Sequence, residues 1–195
     1  MRSSSGKSAF IRSGIVEYPP NALKIDPEEI KMMLPEYRSL LNMQEPLAAW
    51  LVHDESSHLS KKLRQAAITE GIDLLLDGVT NHSIEKRLED MEALKRNGHW
   101  VRIDYVTLDT ALSLKLAKIR FQRTGRLVPE FFIRDASRNL AVLIPQLIDF
   151  QIFDKLYLWD TNIAVQPRLI LFQKNGKLQV LDKSLYEIFK RKANE

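Results

Sequence analysis

The side chains in this sequence whose types and order suit phosphoryl chemistry are Gly6-Lys7-Ser8, Asp26 with Glu28 and Lys31, Asp77, and the arginines Arg120, Arg123 and Arg126. Gly6-Lys7-Ser8 is the end of the pattern G-x-x-x-x-G-K-[ST]. In that loop backbone N–H groups cradle phosphate oxygens, the lysine reaches the β- and γ-phosphates, and the hydroxyl ligates Mg²⁺. The first glycine of the pattern falls on Met1, and the strand that should precede the loop is not in the sequence. Either the chain is a fragment or mis-started, or it is a degenerate homologue; truncation is the favoured expectation, because the other site-like residues are retained. A bare G-K-S also arises by chance, so its context decides. Asp26 ends a short strand reading, 21–26, and Pro27-Glu28-Glu29-Ile30-Lys31 then opens a helix with proline in its first turn. Ligands of open α/β sheets sit beyond the carboxyl ends of the strands, which would bring Asp26, Glu28 and Lys31 near the loop if the strands are parallel.

Asp77 closes a second strand reading, 71–78, whose uninterrupted leucines suit a strand buried on both faces. An acid there can hold Mg²⁺ or activate a nucleophile, although Asp-Gly is also a common turn pair. Lys115, Lys118, Arg120 and Arg123 make the second half of a helix over 109–124 basic, and the turn Gly125-Arg126-Leu127-Val128-Pro129 ends it. Arginines so placed can close over a triphosphate, where a solvated helix face is the plainer reading of any one of them. Arg126 is the most constrained, because a turn sets where its backbone points. His53-Asp54-Glu55-Ser56-Ser57-His58 offers the residue types of a catalytic triad or metal site, but without a nucleophile elbow or a third ligand at helical spacing.

At 195 residues and 45% apolar content, the chain is expected to form a single α/β domain. Cysteine is absent, which excludes disulfides and thiol nucleophiles and fits a reducing compartment, with the cytoplasm as default. There is no long apolar run and no signal-like N-terminus, so a membrane partner is not expected. A net charge of +4 and a pI near 9.2 suit a binder of anionic phosphates without implying nucleic acid.

The remaining elements are those needed to hold the residues. A short helix follows Ser8 and cannot pass Pro19-Pro20. Leu34-Pro35-Glu36-Tyr37 breaks the helix after Asp26, and a long helix runs from about Pro46 to Glu70, with an interruption near Asp54. Ser83 opens an amphipathic helix that Asn97-Gly98 closes. A strand over 100–106, the basic helix, and a helix over 129–148 that Pro145 bends or ends come next. Lys155–Asp160 reads as the last sheet strand. Lys174-Asn175-Gly176-Lys177 is a hairpin turn, and a helix from Ser184 to Lys192 closes the chain with cations suited to its dipole. Alternating strands and helices imply a parallel sheet with helices on both faces.

In order and spacing, Gly6-Lys7-Ser8, Ile25 to Lys31 with Leu34-Pro35-Glu36-Tyr37, His53 to Ser57, Leu76-Asp77-Gly78, and Arg120 through Pro129 resemble the zeta-toxin family of P-loop kinases, over most of the chain from Gly6 to about Asn162. The resemblance implies a three-layer P-loop NTPase-like α/β fold lacking its first strand, with a C-terminal β-hairpin and helix. It implies ATP and Mg²⁺ as cofactors and phosphorylation of a hydroxyl, classically on UDP-N-acetylglucosamine, with an antitoxin as a protein partner. Lys7 would hold the β- and γ-phosphates with Gly6 and Arg123, and Ser8 and Asp77 would serve the metal. Lys31, Glu55, Asp77 and Thr80 would contact substrate, and Arg120 and Arg126 the γ-phosphate. The family's Asp-x-Asp becomes Asp26-x-Glu28 here. A longer carboxylate still accepts a proton but reaches differently, so Glu28 and Asp26 both stand as base candidates. Val79 replaces the family's threonine after acid-Gly, with Thr80 just beyond. Two other expectations follow from different classes: an impaired homologue that binds nucleotide and acts as an interaction protein, and a nucleic-acid binder using the basic helix, for which no recognised motif is present.

Overall fold

A computed structural model describes residues 7–78, 83–124, 127–163 and 166–195. In chain order its elements are α1 (Lys7–Arg12), β1 (Leu23–Ile25), α2 (Pro27–Met33), α3 (Pro35–Asn42), α4 (Ala48–Leu51), α5 (His53–Thr69), β2 (Leu74–Leu76) and α6 (Ile84–Arg96). Then follow β3 (Arg102–Thr107), α7 (Thr110–Thr124), α8 (Glu130–Phe150), β4 (Lys155–Asp160), β5 (Arg168–Lys174), β6 (Lys177–Val180), α9 (Lys183–Arg191) and a 3₁₀ turn, Lys192–Asn194. They form two compact units. The smaller takes described residues within 18–79 and 117–128, and the larger those within 1–17, 80–116 and 129–195.

In the smaller unit β1 and β2 pair in parallel, Ile25 opposite Leu76. Asp26 has extended backbone and caps α2, its Oδ1 accepting the Glu28 N–H at 2.9 Å, with Pro27 in the first turn where no donor is lost. Leu34 precedes Pro35 and is held extended, so α2 must stop there. Pro35 nevertheless starts a further helix, α3, in a stretch read from sequence only as a break. The helical stretch from Pro46 is interrupted close to Asp54, as expected: it forms two helices divided at the buried Val52. Leu34, Tyr37, Ala48, Ala49 and Val52 form the core of this bundle. The leucine run of β2 is not buried on both faces as expected: Leu74 and Leu75 are half-buried and Leu76 is 43% exposed. Among the described residues β1 is its pairing partner, and that two-stranded sheet leaves part of its surface open.

The larger unit is a four-stranded sheet in the order β3-β4-β5-β6, with β3 and β4 parallel and the remaining pairs antiparallel. The hairpin turn falls where expected, with Asn175 and Gly176 both at positive φ, the geometry that lets two residues reverse twisted strands. That hairpin joins the same sheet, so β4 is an interior strand and not the last one. Along β4, Leu156, Leu158 and Asp160 point to the buried face, where α8 contributes Leu140, Leu143, Ile144 and Leu147. Pro145 does not end α8, which runs five residues further to Phe150. Burial of Ile144, Leu147 and Ile148 on both sides of the proline keeps the helix on course against the cost of one lost donor. At the open end of the sheet Asp154 acts as a clasp. Its carboxylate accepts the Val101 N–H at 2.7 Å and the Lys95 ammonium at 2.8 Å. Partial burial works against the Asp154 anion, but the Lys95 hydrogen bond, the Val101 N–H and the Lys95 charge outweigh it and hold the carboxyl below its usual range.

Truncating Leu158, fully buried at the centre of the sheet, is expected to cost about 2–5 kcal/mol of unfolding free energy, measured by urea denaturation. Asp154→Asn removes the charge of the clasp and should cost about 1–2 kcal/mol at pH 7. Because the folded carboxyl titrates below its unfolded value, this contribution is present above the ordinary aspartate range, about 3.9, and is lost as the pH falls through the folded value. The gap between wild type and Asp154→Asn should therefore close in strongly acidic solution.

Candidate functional site

In the smaller unit, parallel pairing brings the carboxyl ends of β1 and β2 side by side: Ile25 lies opposite Leu76, and the Asp77 N–H donates to the Ile25 carbonyl at 3.0 Å. Asp26 and Asp77 therefore leave adjacent strands at one edge, both half-buried. One oxygen of Asp26 is engaged in capping α2, and the other lies 3.5 Å from Lys24. Lys24 also pairs with Glu29. One turn into α2, Glu28 Oε1 meets Lys31 Nζ at 3.1 Å, the i,i+3 spacing that stacks side chains on one helix face. Lys31 is 4% exposed, and a lysine so buried must keep a counter-charge.

α5 packs against α2 and β1. His53 at its start stacks on Trp50, ring centroids 6.2 Å apart. Burial, then the charge of Lys31, lowers the basicity of His53, against the opposing pull of Asp54 and Glu28. His53 thus feels the charges of both Glu28 and Lys31. Ser56, wholly buried, donates to the His53 carbonyl at 2.8 Å, which accounts for this serine without any nucleophilic role. Glu55 is exposed on the same helix. On α7, Arg120 is half-buried and Arg123 exposed, and the Leu127 N–H donates to the Pro46 carbonyl at 3.3 Å, tying down the chain that follows.

Lys7 and Ser8 stand at the start of α1, in the larger unit, with Lys7 half-buried. Gly6, Val79, Thr80, Gly125, Arg126 and the Ser8 side chain lie outside the described residues. The structure thus groups Asp26, Glu28, Lys31 and Asp77 at one strand edge, with Glu55, Arg120 and Arg123 elsewhere in the same unit. Among the described residues no cluster of three or more acids and histidines has the arrangement of a metal-binding group, and no helix is long and apolar enough to cross a membrane.

Sequence reasoning missed a polar cluster at the carboxyl ends of β3 and β4. Lys192, 5% exposed, donates to Thr107 Oγ1 at 2.9 Å and to the Leu108 carbonyl at 2.5 Å. Burial lowers the basicity of this lysine, partly offset by Glu195, Asp109 and Asp160. Asn162 bridges the strand ends, donating to Asp160 at 2.6 Å and accepting the Asp109 N–H at 2.9 Å. These groups line a cavity of about 40 Å³ with Ile170, Leu185, Ile188 and Phe189, room for little more than water. Nothing in the local sequence Lys190-Arg191-Lys192 separates the buried cation from its solvated neighbours.

The fold is similar to that of a structure from the PezAT chromosomal toxin-antitoxin system of the human pathogen Streptococcus pneumoniae, with a TM-score of 0.66 and 16% identity over 99% of this chain and 82% of that one. It is also similar to the complex of AvrRxo1-ORF1 with AvrRxo1-ORF2, in a structure with ATP (TM-score 0.63, 16% identity) and one with sulphate ions (0.62, 17%), each over 85% of this chain. The chain spans about half the length of those AvrRxo1 chains, 52%. At such identities the likeness establishes an α/β fold of the P-loop zeta-toxin kind. No curated protein matches the chain significantly. Residues 2–177 match the Zeta toxin family, and with nearly the whole chain inside that match, the protein belongs to it.

Proposed function

We propose that this chain is an ATP-dependent phosphotransferase of kinase type, acting as a toxin on a hydroxyl of a nucleotide sugar such as UDP-N-acetylglucosamine. The observation that carries the reading is the strand edge where Asp26 and Asp77 stand side by side with the Glu28–Lys31 pair one helical turn on, in a member of the zeta toxin family. A structural relative containing ATP supports the nucleotide, and one described as part of a toxin-antitoxin system supports an antitoxin as partner.

Within this reading Lys7 and Gly6 hold the phosphates, and Arg120, Arg126 and Arg123 balance charge on the transferred group. Lys31, Glu55, Asp77 and Thr80 contact the acceptor. Asp77, half-buried at a strand end, and the hydroxyl of Ser8 are the groups that would hold Mg²⁺, a hard cation that takes carboxylate and hydroxyl oxygens. Bound, ATP and the ion supply the phosphoryl group and neutralise part of its charge. Of the two base candidates, Glu28 is favoured: one oxygen of Asp26 is engaged in capping α2, whereas Glu28 stands one turn into the helix, paired with Lys31.

The test is transfer from labelled ATP to UDP-N-acetylglucosamine with Mg²⁺. Lys7→Ala should reduce it by at least about a hundredfold, and Glu28→Gln should lower kcat by about 10²–10⁴-fold, together with a lower melting temperature because the buried Lys31 loses the charge it pairs with. Asp26→Asn, which can still cap α2 but loses the negative charge at its N-terminus, should instead lower stability by about 0.3–1 kcal/mol, with a smaller loss of rate. Transfer that survives both Lys7→Ala and Glu28→Gln would sink the assignment, and ATP binding without transfer to any nucleotide sugar would leave a binding protein in place of an enzyme.

A further inference from the structure

The strands β3 and β4 carry two kinds of side chain. Ile103, Tyr105, Leu156 and Leu158 pack into the core with α8. Arg102, Asp104, Tyr157 and Trp159 alternate with them and so occupy the opposite face, Asp104 registered against Tyr157. A carboxylate in mid-strand with its side chain only 10% exposed is costly unless its lone pairs are used. Here they are. Arg102 Nε donates to Oδ2 at 2.7 Å and Arg102 Nη2 to Oδ1 at 3.1 Å, a two-pronged pair, and the Trp159 indole N–H donates to Oδ1 at 3.0 Å. Burial works against the Arg102 cation, but Asp104 more than compensates and its basicity rises, with Tyr157 and Glu17 adding to the effect. The guanidinium lies 4.7 Å from the Tyr157 ring centre, and Tyr157 stacks in turn on Phe172.

The network fixes the Trp159 ring, and that ring meets Phe10, centroids 5.2 Å apart and planes tilted by 50°. Phe10 is 3% exposed and belongs to α1, which is only six residues long. A helix of that length does not hold itself together in water, so tertiary contact must set its position. Lys7 lies three residues before Phe10, one turn away along the same side of the helix.

We infer that Asp104 and Trp159 are positioning residues for Lys7: the carboxylate orients the indole, the indole seats Phe10, and Phe10 sets α1 and with it the phosphate-binding lysine. This rests on the reading of Lys7 as a phosphate ligand. Neither residue touches the nucleotide. Their effect is to fix where the ammonium stands before the nucleotide arrives, so that its ordering is not subtracted from binding.

Two measurements on the full chain test this: hydrogen exchange of the α1 amides without ligand, and ATP affinity by calorimetry. Trp159→Ala should raise α1 exchange and weaken ATP binding, each about tenfold, the scale of one lost aromatic pair with its hydrogen bond. Trp159→Phe, which keeps a ring against Phe10 but loses the hydrogen bond to Asp104, should recover only part of both. Leu158→Ala, on the opposite face of the same strand, should lower the melting temperature while leaving ATP affinity unchanged, which separates positioning from general stability. Should Trp159→Ala not fold, Asp104→Asn carries the same expectation in milder form. Wild-type α1 exchange and ATP affinity in a folded Trp159→Ala or Asp104→Asn protein would overturn the inference. If α1 exchange rises but Lys7→Ala binds ATP as wild type does, it is the phosphate role of Lys7 that has failed, and the positioning inference falls with it.

Discussion

Parallel pairing sends the carboxyl ends of β1 and β2 out of the same edge, and the chemistry proposed for the smaller unit depends on that. Two strands of three residues each bury little, yet their register is enough to set Asp26 beside Asp77. An antiparallel pair would have put the two acids at opposite ends. Once Asp26 stands at the edge, its side chain is in position to cap α2, and the cap fixes the direction in which α2 leaves the strand. Glu28 and Lys31 then follow from helical periodicity, one turn apart and within hydrogen-bonding distance. A single pairing direction thus propagates into the placement of four polar side chains.

Each unit also buries charge, and each does so with a partner in place. Lys31 is matched by Glu28, Asp104 by Arg102 and Trp159, and Lys192 by Thr107 Oγ1 and the Leu108 carbonyl. Replacing such groups by apolar ones of equal shape often costs little, whereas removing one partner is expensive. Buried pairs are therefore better understood as devices that allow one arrangement and penalise others. That suits a protein whose proposed chemistry requires cations and carboxylates in fixed places, because apolar packing alone has little directional preference.

How much of this was legible in the sequence depended on the range of the cause. Caps, turns and proline boundaries are local, so the Asp26-Pro27 start of α2, the Ser83 start of α6 and the Asn175-Gly176 turn could be read directly. Burial is not local. The leucines of β2 suggested a strand covered on both faces, but what covers a strand is set by residues far away in the chain, and Leu76 is left open. Pro145 shows the converse, since packing of its neighbours against the sheet overrides a local helix breaker. The edge acids Asp26 and Asp77 could be named because a strand end followed by a helix or turn marks them. Asp104 could not, because in sequence it is one polar residue in an alternating strand, and its meaning lies in Arg102 and in Trp159, 55 residues away along the chain.

A helix of six residues carrying the proposed phosphate-binding lysine concentrates the problem that the larger unit solves. Its length does not secure it, and although the Ser13 hydroxyl closes its last turn by donating to the Phe10 carbonyl at 2.6 Å, that bond is internal to the segment, so its position must come from tertiary contact at Phe10. Trp159 is suited to be that contact for two reasons. Its ring offers a broad apolar surface to Phe10, and its N–H gives Asp104 a handle by which to hold the ring at one angle. A phenylalanine would supply the surface without the handle, and a polar side chain the handle without the surface. The aspartate could not remain buried in mid-strand without Arg102, and Arg102 in turn is flanked by the Tyr157 ring. On the inference that this network places Lys7, one lysine accounts for an acid, a cation and two aromatic rings on a sheet face where alternation alone would call for ordinary half-buried residues.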